Sequence, residues 1–178
     1  MDEFSQNFYG RGLGKDEVKF LIQGTEKTLS RSMVFRKLGA ERTVRIPIED
    51  YPETASPGEV VVHFGLPIPV DPPGTKVVLS KILRNGHFKS NGEEALPLLS
   101  FEEVWLATVK RCIEFVPYEA LPKDCFKNAL GGVKDVSSLK DLILARYRKS
   151  VPEFSKEQIL SQGVPIRYLE LTKKVSLS

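Results

Sequence analysis

The chain has 178 residues, of which 41% are hydrophobic and 28% charged, and this composition is typical of a soluble globular protein rather than a collagenous, disordered or membrane-spanning one. Its formal net charge of +3 is mild, so any basic surface depends on how the cations are distributed. The two histidines and two cysteines are not spaced like a metal or nucleophile site, which disfavours the common hydrolytic, redox and metal-dependent enzymes.

Residues 1–15 are predicted to form a flexible N-terminal arm, because Gly10, Gly12 and Gly14 alternate with larger residues without a strong period. Residues 16–178 are predicted to fold as a single globular domain, since a chain of this size can bury about 70% of its unfolded surface. The sequence contains neither a signal-peptide pattern nor an apolar run of about 18 residues. These features predict an intracellular protein, cytoplasmic or nuclear.

Short apolar or alternating runs predict three strands in the N-terminal half, at 17–23, 42–48 and 60–64. The second and third are expected to pair as a long-looped hairpin, with the second at a sheet edge because Pro47 cannot donate a hydrogen bond. The segment 28–38 fits either a helix or a strand, and 76–83 fits a strand or a short helix.

A central helix is predicted after Ser100, because Ser100 and Glu103 have the spacing of a capping box. Apolar side chains follow at helical spacing up to Pro117. They are Phe101, Val104, Trp105, Val109, Cys112, Ile113 and Val116. This helix is expected to pack the sheet.

The C-terminal part is predicted to be largely helical. One helix begins near Ser138, and a short one is capped by Ser155 with Gln158 and ends at Gly163, before a strand at 166–171. Together these elements predict an α+β fold, in which a small, mostly antiparallel sheet is packed by a central helix and followed by a helical C-terminal part.

Two groups of cations are candidates for binding RNA or an anionic membrane surface. The first comprises Lys27, Arg31, Arg36, Lys37, Arg42 and Arg45, and the second comprises Arg146, Arg148 and Lys149. Scattered, solvated cations are the simpler explanation, so the hypothesis requires that folding bring them together.

A proline-rich segment is the candidate partner-binding motif, because spaced prolines favour an extended conformation that a groove can bind. Its prolines are Pro67, Pro69, Pro72 and Pro73. A rigid connector explains the same pattern.

The leading hypothesis is a non-catalytic structural, assembly or interaction protein whose partners are other subunits or copies of itself, a description that also fits a small viral matrix-like component. An RNA-binding or nucleic-acid-associated accessory protein is the first alternative. An enzyme is the second, and it requires a pocket in which His63 or His87 meets a carboxylate. No catalytic residue, metal ligand or cofactor is predicted.

Overall fold

The computed structural model describes residues 17–65, 71–84, 87–88, 94–95, 97–147 and 153–177. The main feature of this part of the chain is one eight-stranded mixed sheet, and the helices are short. The prediction of an α+β fold with a small, mostly antiparallel sheet, a central helix and a helical C-terminal part is therefore wrong. The predicted arm at 1–15 lies outside the described residues.

Ten strands are described: β1 (Glu17–Ile22), β2 (Thr25–Ser30), β3 (Arg42–Pro47), β4 (Val60–Phe64), β5 (Lys76–Arg84), β6 (His87–Phe88), β7 (Glu94–Ala95), β8 (Leu98–Ser100), β9 (Val104–Val116) and β10 (Val164–Val175). The α-helices of the described residues are α1 (Arg31–Lys37), α2 (Val136–Tyr147) and α3 (Lys156–Ser161), and 3₁₀ segments occupy Ile48–Asp50 and Tyr118–Ala120. None of these helices is both long and apolar enough to cross a bilayer.

The order of strands in the large sheet is β2, β1, β8, β5, β9, β10 and β4, and β3 pairs with β5. Strand β1 pairs with β8 in parallel, and β3 pairs with β5 in parallel. The predicted hairpin between 42–48 and 60–64 is wrong, because β4 lies beside β10. In the described residues β3 pairs with β5 alone, so the edge position expected from Pro47 is confirmed.

The predicted central helix is a strand, β9. Its first four residues, from Val104 to Ala107, are all buried, and a continuous apolar run of this kind has no period that separates a strand from a helix. The residues of the expected capping box form a turn instead, in which the Glu102 amide donates to Oγ of Ser100 at 3.2 Å and Glu103 has a φ of 49°.

Local signals elsewhere are confirmed. At the start of α3, Oγ of Ser155 accepts from the Gln158 amide at 3.1 Å, and the Gln158 side chain accepts from the Ser155 amide at 2.7 Å. Helix α2 forms as expected but begins earlier, since Oδ1 of Asp135 caps it by accepting from the Ser138 amide at 2.8 Å. The open segment 28–38 is divided between the end of β2 and α1.

The chain separates into two compact units. Unit 1 contains Val60–Pro73 and Lys110–Leu169, and unit 2 contains Lys15–Glu59, Gly74–Val109 and Glu170–Ser178. The core of unit 1 includes the fully buried side chains of Phe64, Leu139, Ile159 and Ile166.

The core of unit 2 includes the rings of Phe20 and Phe101, whose centroids are 5.2 Å apart. The buried hydroxyl of Tyr51 connects its strands, because it donates to the Leu79 carbonyl and accepts from the Trp105 amide, both at 2.7 Å.

Candidate anionic-surface interface

Helix α1 of unit 2 presents one apolar and two basic side chains to solvent. Val34 and Leu38 are buried, so the opposite side of the helix points outward. Met33, Arg36 and Lys37 lie on that side at positions i, i+3 and i+4, where side chains are neighbours on the helix surface. All three are exposed, and Met33 is 60% exposed. We call these three residues the α1 face.

The end of helix α1 explains why this face is held in place. The buried side chains of Leu38 and Ala40 anchor the chain that leaves the helix, and Gly39 makes the reversal possible with a φ of 78°. Arg36 and Lys37 occupy the last turn, where cations interact favourably with the negative end of the helix dipole. The position of these two cations therefore also stabilises helix α1.

The remaining cations of the first predicted group differ in exposure. Lys27 is exposed on β2. Arg31, Arg42 and Arg45 are half-buried, and each takes part in an interaction within the protein. The structure thus places all six residues in unit 2, but only Lys27, Arg36 and Lys37 of this group are exposed.

The second predicted group is not assembled as a surface in the described residues. Arg146 lies in α2 of unit 1, where its Nη1 donates to the Phe64 carbonyl. Arg148 and Lys149 lie outside the described residues, so that part of the hypothesis stays a prediction.

The proline-rich motif is described only in part. Pro72 and Pro73 are exposed after the buried Asp71, and a turn begins at Pro73. Pro67 and Pro69 lie outside the described residues, and partner binding by this motif stays a prediction.

Unit 1 contains a cluster of buried polar side chains. Nε of Arg167 lies 3.4 Å from Oδ2 of Asp71, and the two side chains are 9% and 1% exposed. His63 is 5% exposed, and its Nδ1 has no hydrogen-bond partner. Burial and the nearby guanidinium groups of Arg146 and Arg167 hold the pKa of His63 well below 6.5. A Cβ at Gly65 would lie 2.5 Å from Cε1 of His63, so the ring packs directly on this glycine.

The same cluster bears on the enzyme hypothesis, which requires a histidine in contact with a carboxylate. The carboxylate of Asp71 pairs with Arg167, and Nδ1 of His63 lacks a hydrogen bond. The side chain of His87 lies outside the described part of the structure. Across the described ranges, no group of three or more His, Cys, Asp or Glu side chains could hold a metal ion.

Met33 is the functional candidate that sequence reasoning missed. Apolar residues are expected inside a protein, and Met33 lies in the segment 28–38, which by sequence fits either a helix or a strand. Its spacing from Arg36 and Lys37 was the available signal, but it becomes informative only once 31–37 is known to be helical.

Comparison of the chain with protein-family models, with curated proteins and with solved structures finds no match.

Proposed function

We propose that this protein is a non-catalytic assembly or interaction protein that binds an anionic bilayer through its α1 face. The observation that carries the proposal is the exposed Met33 beside the exposed Arg36 and Lys37 on a single helix. Cations close to an anionic leaflet contribute about 1 kcal/mol each. An apolar side chain between them can enter the headgroup region, as in interfacial amphipathic helices.

The composition of this face favours a bilayer over RNA. Binding of single-stranded nucleic acid commonly uses exposed aromatic side chains on which bases stack. Among the described residues, the large hydrophobic side chains that are exposed are Met33 and Ile48, and both are aliphatic. Aliphatic groups bury well among lipid chains but offer no stacking surface.

The small size of the α1 face also supports an assembly role. Two cations and one methionine provide weak, reversible binding for one copy. Several linked copies would bind far more tightly, because each later contact is intramolecular. We therefore propose that the protein acts together with other subunits or copies of itself, as a viral matrix-like layer would, and that it works inside the cell in the cytoplasm or nucleus.

Vesicle co-flotation tests the proposal. Wild-type protein should float with phosphatidylcholine vesicles that contain phosphatidylserine and not with phosphatidylcholine alone. The Arg36→Gln/Lys37→Gln variant should bind about tenfold to thirtyfold more weakly, since each cation contributes about 1 kcal/mol at an anionic surface. Met33→Gln should weaken binding at every salt concentration, because the lost contribution is apolar.

The matched control is Lys123→Gln/Lys127→Gln, which removes the same charge from two exposed positions in unit 1. Equal loss of binding in this control would indicate a net-charge effect and contradict a specific α1 face. If wild-type protein binds a single-stranded RNA oligonucleotide but not the vesicles, and Arg36→Gln/Lys37→Gln abolishes that binding, the RNA-binding alternative replaces the proposal.

A further inference from the structure

Unit 2 contains an open cavity of about 360 Å³. The residues that line it are two leucines, two threonines, two lysines and a glycine: Leu38, Leu106, Thr108, Thr172, Lys76, Lys173 and Gly39. The volume lies within the range of small-molecule sites, which is about 300–1,000 Å³. Leu38 directly follows Lys37 in the chain, so the cavity adjoins the end of helix α1.

Strand pairing brings the polar groups of the cavity together. Lys76 of β5 lies directly opposite Thr108 of β9 in an antiparallel register, which places both side chains on one face of the sheet. Thr172 of β10 is fixed by its hydroxyl, which donates to the Leu106 carbonyl at 2.7 Å. The hydroxyl of Thr108 therefore remains as the donor that can turn toward a ligand.

The two ammonium groups of the cavity have no ion-pair partner among the described residues. The neighbouring Lys174 is occupied elsewhere, with its Nζ 5.4 Å from the Trp105 ring centroid and 4.0 Å from Oε2 of Glu53. Beside Lys76, Oε2 of Glu41 accepts from the Lys76 backbone amide at 3.0 Å. Two lysines that line the cavity thus have ammonium groups that no carboxylate of the described residues pairs with.

We propose that this cavity binds a phosphate monoester. Such a group carries between one and two negative charges at neutral pH and three acceptor oxygens, which match the ammonium groups of Lys76 and Lys173 and the hydroxyl of Thr108. Leu38 and Leu106 contact the carbon atoms next to the ester. The source of this group is inferred from the proposed function: it is phosphatidic acid in the bilayer that the α1 face binds. A soluble ester of the same chemistry is the alternative source.

The first arm of the test compares vesicles that contain phosphatidic acid with vesicles that contain phosphatidylserine, at equal measured surface charge. Wild-type protein should bind the phosphatidic acid vesicles about tenfold more tightly, because the diffuse attraction is the same at equal surface charge and only phosphatidic acid presents a phosphate monoester that the cavity can hold. Lys76→Gln/Lys173→Gln should bind both kinds equally, whereas Lys123→Gln/Lys127→Gln should keep the preference.

The second arm titrates glycerol 3-phosphate into the protein without vesicles, with binding followed by NMR shifts of residues in the cavity. If glycerol 3-phosphate binds wild-type protein but not Lys76→Gln/Lys173→Gln, the result supports a phosphate monoester site in the cavity with a soluble ester as its ligand. This conclusion holds even if the protein binds no vesicle, because failure to bind vesicles contradicts only the proposed function. Vesicle binding without a phosphatidic acid preference, together with no response to glycerol 3-phosphate, would overturn the cavity proposal and leave the α1 face intact.

Discussion

In unit 1 the guanidinium of Arg167 lies beside a buried carboxylate, whereas in unit 2 the cations of Arg36 and Lys37 lie in solvent beside an exposed methionine. All three side chains are cationic, but the energetic consequence of burial differs. A buried charge loses its hydration and becomes costly as soon as its partner is removed. An exposed charge keeps its hydration, so it can lack a partner at little cost.

This comparison separates cations that the fold requires from those available for function. Arg146 and Arg167 of unit 1 are committed to internal partners, the Phe64 carbonyl and the Asp71 carboxylate. Arg36 and Lys37 stabilise α1 only through the weak, screened interaction with the helix dipole. Substitutions should therefore affect stability in unit 1 and binding in unit 2.

The largest effect is expected from Asp71→Ala. This change leaves the guanidinium of Arg167 buried without its carboxylate, and breaking a buried pair in this way costs about 3–5 kcal/mol. The free energy of unfolding, measured by urea denaturation, should fall by that amount.

The control for this change is Asp141→Ala, which removes an exposed carboxylate from α2 in the same unit and should alter stability by less than about 0.5 kcal/mol. Replacing both buried partners, as Asp71→Leu/Arg167→Leu, should restore most of the loss, since no charge is then left buried. A loss of under about 1 kcal/mol in Asp71→Ala would show that solvent reaches the pair.

A smaller effect is expected from acid, through His63. The unfolded state binds a proton at His63 with a pKa near 6.5, whereas the folded state does not, because burial and the two arginines lower the pKa. The unfolded state therefore binds more protons, and the free energy of unfolding should fall as the pH drops below about 6.5, with a slope approaching 1.4 kcal/mol per pH unit.

Urea denaturation at pH 7.5 and pH 5.5 measures this loss. The His63→Gln variant should flatten the difference between the two pH values. An unchanged slope in His63→Gln would mean that another group causes the acid sensitivity.

Local chemistry accounts for the elements that the sequence predicted correctly. The hydrogen bonds that cap α3 join Ser155 and Gln158, which are neighbours in the chain. The end of this helix is likewise marked by a local feature, the left-handed Gly163 with a φ of 73°. Strand β9 was predicted wrongly, because its state is set by pairing with β5 and β10, which are distant in sequence. Ser100 and Glu103 have the spacing of a capping box, yet they form the turn before that strand.

The sequence predicted which cations lie near the candidate site, but not which of them are exposed to solvent. Sequence identified six cations between 27 and 45, yet Arg31, Arg42 and Arg45 are half-buried with internal partners. The cavity could not be predicted at all, because Lys76 and Lys173 become neighbours only through the order of strands in the sheet.

The smallest effect on stability is expected from Arg36→Gln/Lys37→Gln, the variant that should lose the most vesicle binding. Both side chains are exposed, and their interaction with the α1 dipole is screened by salt, so the free energy of unfolding should change by less than about 0.5 kcal/mol. Urea denaturation in 0.15 M salt measures this. A loss above about 1 kcal/mol would mean that these cations stabilise α1 itself, and weaker vesicle binding could then reflect a disordered helix. Unchanged stability with weakened binding would assign the two cations to function.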